Sequence, residues 1–346
     1  AVFATRGYIY PPLIGGDIGC GMSLTELKTL KSSKLDQDKI SNKLRGIEGK
    51  NIAKLLLKKI KKKGPYESEL LKNYMEEHPS IVSSNFNDNL GTIGGGNHFC
   101  EIVTVEKIVD EGIFLEKSLN EESVFLLTHS GSRGLGQSIL DEFSKSVSLK
   151  VGSEECNRYL EKHDEAVEWG IKNRELIGRR VLECLNICKE DTSLILDVCH
   201  NAVVSKTFKD LNERYLHRKG AAPGDKGLIV IPGSRGAFSY LVLPYGDQEE
   251  NCFSLAHGAG RKWSRNQVAT KLRQKYGKSS KAHSVRNYLA LTRTRFGNSV
   301  ICEDKDLLLE EAPMAYKEIE DVIEDLSEFV KVVAILKPFI TYKTRK

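Results

Sequence analysis

Four of the eight histidines in this chain, His98, His129, His200 and His257, stand where an apolar run or a glycine-rich turn ends. The runs are short: Ile102 to Val105, Ser123 to Leu127, Leu194 to Val198 and Phe253 to Ala256. Segments of that length, bounded by Gly, Ser and Asn, read as strands of a sheet. A further β-rich stretch, Leu228 to Leu243, is broken by Pro232-Gly233-Ser234-Arg235-Gly236. Between them lie helical patterns from about Leu140 to Leu185 and from Pro313 to Val333, and Lys337-Pro338 leads into a short extended end. The irregular alternation predicts an α+β (mixed α/β) fold with a central β-sheet system and flanking helices, in one large domain over 1–346. The Gly-Ser-Arg-Gly echo at 131–134 and 233–236 is too short to be a structural repeat.

Residues 24–85 are lysine-rich and read as a basic, largely helical insertion. Within it Lys54 to Lys63 is the densest basic cluster. A solvated helix face with Leu and Ile turned inward accounts for it better than a dedicated RNA patch. Lys and Arg exceed Asp and Glu by only 52 − 47 = 5, which permits an anionic partner without requiring one. With 40% hydrophobic and 29% charged residues the chain has the composition of a folded protein. No apolar run approaches the ~18 residues of a membrane span, and Ala1 to Pro12 lacks the pattern of a secretory signal. Eight scattered cysteines without paired CxxC knuckles suit a reducing compartment, the cytoplasm. Most are expected to be small buried hydrophobes.

Strand ends are where scaffolds display functional side chains. One such histidine would be unremarkable. Four, together with Asp17 and Cys20 in Gly15-Gly16-Asp17-Ile18-Gly19-Cys20-Gly21, point to a site for a borderline divalent cation, manganese, cobalt or zinc. A thiolate has lone pairs enough to bridge two ions. His78, His163, His217 and His283 lie among charged or helical neighbours and are expected on the surface. The turns Gly91–Gly96, Ser130–Gly134, Pro232–Gly236 and His257–Gly260 expose backbone N–H groups suited to anions. Arg133, Arg235, Arg261 and Arg265 stand in or just beyond them, placed to clamp phosphates. No P-loop or GxGxxG motif opens a clear βαβ unit.

Taken together, Asp17-Ile18-Gly19-Cys20-Gly21-Met22, Gly91-Thr92-Ile93-Gly94 with Gly96-Asn97-His98-Phe99 and Glu101, His129 to Gly134, His217-Arg218-Lys219-Gly220-Ala221 and His257-Gly258-Ala259-Gly260-Arg261 resemble the signature blocks of the RtcB family of RNA-splicing ligases. Glu311-Ala312-Pro313 with Ala315-Tyr316-Lys317, and the terminal lysine region, fit as well, so the resemblance runs from about Val2 to Lys343. It implies a GTP- and manganese-dependent ligase that joins RNA ending in a 3′-phosphate or 2′,3′-cyclic phosphate to RNA beginning with a 5′-hydroxyl. By the same resemblance Asp17, Cys20 and His98 would hold one manganese, and Cys20, His129 and His200 the other. His257 would be the nucleophile that takes GMP from GTP. The guanylate pocket would draw on Asn97, His98, Glu101, Asn201, Pro232, Gly233, Ser234, Arg235, Ser239, His257, Gly258, Ala259, Gly260 and Lys343. Arg133, Arg261 and Arg265 would meet RNA phosphates.

Two departures stand out. Arg235 occupies a position where the family commonly has methionine. Family members also carry a Pro-Asp-containing stretch upstream of the segment resembling Val2 to Ala4, so a short N-terminal segment is expected to be missing. A binuclear metal-dependent phosphoesterase and a catalytically silent RNA-binding relative are the competing readings. Whether a helper protein assists guanylylation, and which RNA is joined in splicing or repair, stay open at this level.

Overall fold

An apolar run that does not alternate needs cover on both of its faces. The computed structural model of the protein describes residues 1–44, 47, 86, 89–276, 292, 294 and 296–344, and it supplies that cover. Its centre is an eight-stranded sheet. The order is Ile229–Pro232, Ser239–Pro244, Val330–Thr344, Phe99–Ile108, Val124–Ser130, Gly21–Leu27 and Thr192–Cys199, with Ser299–Cys302 added parallel to Val330–Thr344. The other pairings in this sheet are antiparallel. In Val124–Ser130 the side chains sort by the period of two. Phe125 and Leu127 enter one core with Met22, Leu24, Val103, Leu241 and Val333. Leu126 joins the other, with Ile102, Ile340 and Tyr342 from the sheet and Ile177, Val181 and Leu182 from a helix.

That helix, Glu154–Leu185, is the longest described element. Ser153 caps it by accepting from the Cys156 N–H, and Glu154 and Glu155 face the positive end of its dipole. Asn186 closes it in the left-handed conformation. Gln37–Leu44 packs beside it through Ile40 and Leu44. A three-stranded sheet, Val2–Thr5, Glu213–Lys219 and Asn201–Thr207, and the pair Ala221–Pro223 with Ser254–Ala256 flank the main sheet. These carry Gly220 and His257 towards the ends of its strands.

Several expectations change. The lysine-rich segment does not begin as a helix, because Gly21–Leu27 is an inner strand paired on both edges. Most of the expected insertion, with Lys54 to Lys63, lies outside the described residues, as do His78 and His283. The helical region near Leu140 is two helices, Gly134–Glu142 and Glu154–Leu185, separated by the short strand Leu149–Lys150. At the other end the helix Ile319–Asp325 stops early, and Val330–Thr344 is one strand of 15 residues. Pro338 hid it from a pattern reading. A proline cannot donate to a ladder, and here the register shifts between Pro338 and Ile340 to accommodate it.

His163 and His217 are buried rather than superficial. The Nε2 of His163 accepts from the Val203 N–H at 2.9 Å, and that of His217 from the Tyr10 N–H at 2.9 Å. Each imidazole thus satisfies backbone that would otherwise be orphaned. No helix among the described residues is long and apolar enough to cross a membrane.

Candidate active site

Phe99–Ile108, Val124–Ser130, Gly21–Leu27 and Thr192–Cys199 are consecutive in the sheet. Their register sets Phe99 opposite His129, Gly21 opposite Ser130, and Gly21 opposite Cys199. The residues at or just beyond these strand ends therefore meet at one edge. They are His98, His129, Cys20 and His200. Backbone bonds fix the loops further: the His200 N–H donates to the Cys20 carbonyl at 2.8 Å, and Gly19 donates to Asn201 at 2.9 Å. Gly19 has φ +76°, and a Cβ there would press on the backbone of Ala166 and Val167, so the turn before Cys20 needs glycine.

The thiol of Cys20 lies 3.2 Å from Nε2 of each of His98, His129 and His200. His98 Nε2 is also 3.1 Å from Asp17 Oδ2, and its Nδ1 donates to the Ile93 carbonyl at 3.2 Å. That bond leaves the Nε2 lone pair aimed at the cluster. Burial and the neighbouring imidazoles hold His129 and His200 well below the usual histidine range, so both are neutral. Burial, then Asp17, pushes the Cys20 thiol well above its ordinary value when no cation is present. Burial works to raise Asp17, but His98, the Cys20 thiol and Arg133 nearby hold it below the usual carboxylate range.

Lone pairs outnumber protons here, and the buried His129 Nδ1 has no hydrogen-bond partner among the described residues. Separations of 3.2 Å between ligand atoms match the edges of a shell with bonds of roughly 2.0–2.3 Å. The donor set of Cys20, His98 and His129 fits a divalent cation. His200 and Asp17 extend it.

His257 stands beside this cluster. Its ring lies 4.5 Å from that of His200 and 6.3 Å from that of His129, centroid to centroid. Burial lowers its pKa to about 4, against a hydrogen bond to the Gly220 backbone that works the other way. At neutral pH the imidazole is uncharged, with one nitrogen free. Gly220 has φ +61°, and a Cβ on it would strike the His257 ring.

From His257 a pocket runs along the sheet edge, lined by Asn97, Glu101, Pro232 to Arg235, Gly258 to Arg261 and Lys343. Burial raises Glu101 to about 7 despite the Thr341 hydroxyl and Lys343, and lowers Lys343 to about 8 despite Glu311. The Lys343 ammonium donates to the Gly96 carbonyl at 3.0 Å. One nitrogen of Arg235 bonds the Leu308 carbonyl at 3.2 Å, and the other buried one has no partner among the described residues. Ser239 is buried on the neighbouring strand, outside the lining. Asn201 opens the strand Asn201–Thr207: its side chain donates to the Asp17 carbonyl at 3.0 Å and accepts from the Gly220 N–H at 2.7 Å.

On the other side of the cluster a wider cleft is lined by Asp17, His98, Asn201, Arg133, Lys219 and Arg265. Arg265 bonds Glu311 at 3.1 Å. The guanidinium of Arg261 is largely engaged already, by the Trp263 and Glu310 carbonyls, the Tyr316 hydroxyl and Glu311. It organises the pocket wall more than it offers donors to a ligand. Cys100, near His98 in sequence, is a core residue 3.6 Å from the Thr128 hydroxyl.

Sequence reasoning left out Glu311, Tyr316 and Thr341, which line the pocket, and Lys219, which lines the cleft. Their signal was present: Glu311 and Tyr316 flank Ala312-Pro313, and Lys219 sits in the His217–Ala221 block. No periodicity gave them a role.

The family described as tRNA-splicing ligase RtcB matches residues 1–344. The RNA-splicing ligase RtcB2 of Escherichia coli strain ATCC 25922 is 39% identical over 348 residues, spanning 99% of this chain and 83% of that protein. The RNA-splicing ligase RtcB of Escherichia coli strain K12 is 28% identical over 386 residues, spanning 99% and 86%. The tRNA-splicing ligase RtcB of Pyrococcus furiosus is 31% identical over 297 residues, spanning 72% of this chain and 29% of that longer protein.

Proposed function

Because the chain belongs to the RtcB family of RNA ligases, we propose that it seals RNA 3′-phosphate or 2′,3′-cyclic phosphate ends to 5′-hydroxyl ends, with GTP as cosubstrate and His257 as the nucleophile. Asp17, Cys20 and His98 would hold one manganese ion, and Cys20, His129 and His200 a second. When bound, the ions neutralise phosphate charge and polarise the reacting phosphoryl groups. The observation that carries the reading is the fourth imidazole. His257 lies against the ring of His200, carries no charge at neutral pH and opens on a pocket that holds Glu101 and Lys343.

The residues give each step a means. Donating one ring N–H to the Gly220 backbone orients His257 and leaves the other nitrogen to attack the α-phosphorus of GTP. A P–N bond forms as pyrophosphate leaves. The backbone around Pro232 to Arg235 and Gly258 to Gly260 lies against the same pocket and suits the phosphate and ribose. Lys343 can donate to guanine O6 or N7, and the ionised Glu101 can accept from N1 and N2, a pattern adenine does not match. A 2′,3′-cyclic end is first opened by water to the 3′-phosphate and a free 2′-hydroxyl, and the RNA 3′-phosphate then takes GMP as the P–N bond breaks. The 5′-hydroxyl attacks that activated phosphate and GMP departs. Arg133, Arg265 and Lys219 face the cleft through which RNA would reach the site. A phosphoesterase would need the ligand cluster but leaves His257 and Lys343 without work.

The test is to incubate the protein with α-labelled GTP and manganese. Label retained on the denatured protein, lost on mild acid treatment and stable in base, is expected of a histidine phosphoramidate. A folded, manganese-loaded protein that retains no label would overturn the reading.

A further inference from the structure

Two polar side chains midway along Glu154–Leu185 are sealed from water and take no part in the chemistry above. Asn173 is 0% exposed and Arg174 is 1%. A guanidinium in that setting is costly unless its donors are matched, and those of Arg174 are. Nε and one terminal nitrogen grip the Asp197 carboxylate. The other terminal nitrogen donates to the Gly19 carbonyl at 2.8 Å and to the Ser130 carbonyl at 2.9 Å. Gly19 immediately precedes Cys20, and Ser130 immediately follows His129.

Asn173 takes hold of the third segment. Its oxygen accepts from the Gly91 N–H at 2.7 Å. Its nitrogen lies within 3.1 Å of the Thr92 carbonyl, the Ser130 hydroxyl and the Gly131 carbonyl. The Ser130 hydroxyl in turn donates to the Ile93 carbonyl at 2.8 Å, the same oxygen that accepts from the Nδ1–H of His98. One helical turn is thereby bonded to backbone next to Cys20 and next to His129, and through Ser130 to the acceptor that fixes the His98 tautomer. His163, on the same helix and equally buried, bonds instead to Val203 N–H.

We infer that Asn173 and Arg174 are positioning residues, which hold Cys20, His98 and His129 in a cation-ready arrangement before any ion arrives. The inference rests on the metal reading proposed above. Groups that orient ligands in this way typically change metal affinity by roughly ten- to a hundredfold when removed.

The experiment uses cobalt(II) alone, followed by thiolate-to-cobalt charge transfer in the near ultraviolet and by calorimetric titration. Wild type, Asn173→Ala, Arg174→Lys and the pair Arg174→Met with Asp197→Asn are compared, the pair leaving no buried carboxylate unmatched. Metal-free melting temperatures are taken alongside. Expected are a cobalt affinity lower by about tenfold or more in Asn173→Ala and in the double variant, an altered charge-transfer band, and partial recovery in Arg174→Lys. Should the double variant fail to fold, Asn173→Ala and Arg174→Lys decide. Variants with lower melting temperatures but wild-type affinity and spectrum would overturn the inference, leaving a structural role only. A wild-type protein that takes up no cobalt would overturn the metal reading, and the inference with it.

Discussion

Replacing Cys20 by alanine strikes the one atom that touches every imidazole of the cluster. Its Sγ is 3.2 Å from three Nε2 nitrogens, while the nearby thiols of Cys100 and Cys199 face Thr128 and the Asn201 carbonyl. In the metal-free protein the truncation removes a single buried atom and should cost only about 1 kcal/mol. The larger effect appears with manganese. An ion supplied at a hundred times its Kd stabilises the fold by about 2.7 kcal/mol, so two ions contribute about 5 kcal/mol. At about 2.1 cal/mol/K of unfolding entropy per residue, a chain of this length shifts by roughly 1.4 °C per kcal/mol, which gives a manganese-induced rise in Tm of about 7 °C. If Cys20 serves both ions, the rise should nearly vanish in Cys20→Ala and fall to about half in His200→Ala, which spares one ligand set. Scanning calorimetry in excess manganese and in chelator, with elemental analysis of the dialysed protein, measures both quantities. A Cys20→Ala protein that keeps two ions and the full rise would refute the bridge. Complete loss in His200→Ala would refute the division of ligands.

Three further outcomes are expected. His257→Ala should lose the covalent GMP adduct yet keep its metal, and should still join RNA already carrying a guanylylated 3′-phosphate, because that substrate needs no enzyme nucleophile; labelling of the variant at the wild-type rate would exclude the role. Glu101, raised to about 7, accepts from guanine only when ionised, and Lys343, lowered to about 8, donates only when protonated. GMP affinity for the metal-free protein should therefore climb through pH 7, since about one Glu101 in ten is ionised at pH 6, and decline above pH 8; in Glu101→Gln the acid limb should disappear, and titration calorimetry reads both. Gly94 has φ +96° and a Cβ there would overlap the Arg133 guanidinium, so Gly94→Ala should cost about 2 kcal/mol in chemical denaturation. Gly95→Ala, which meets nothing within 4 Å, should be near neutral.

The meeting of Cys20 with His98, His129 and His200 was legible in the sequence because strand ends carry their own punctuation. Glycines crowd beside Cys20 and His98, and glycine, serine or asparagine follows His129, His200 and His257. The sheet was legible because double burial leaves runs such as Val124 to Leu127 unbroken. What escaped was burial carried by polar residues. His163 sits in Glu161-Lys162-His163-Asp164-Glu165, whose charge suggests exposure, yet Cys156, Tyr159, His163, Ala166, Gly170, Asn173 and Ile177 recur at intervals of three and four, and all are buried. The helical period was therefore present, but the charged neighbours of His163 masked it. Arg174 breaks even that pattern, since its reason for burial is the Asp197 carboxylate and two carbonyls brought to it by other parts of the chain. Tertiary partners of this kind leave no local trace. The late strand was missed for the opposite reason, a proline that a bulge absorbs.

That strand also orders events during synthesis. Val330–Thr344 pairs with Ser239–Pro244, Phe99–Ile108 and Ser299–Cys302, all of which precede it in the chain. Until it emerges from the ribosome, Phe99–Ile108 has one bare edge and Ser239–Pro244 has no link to the strands that hold the cluster. Contacts spanning so much sequence form slowly, and exposed edges invite pairing with other chains. A nascent chain can already contain Asp17, Cys20, His98, His129, His200 and His257, yet it lacks both the strand that joins the two halves of the sheet and the lysine that completes the pocket wall. The pocket wall is thus complete only once Val330–Thr344 has paired and brought Lys343 to it, and on the function proposed above nucleotide affinity would follow that pairing.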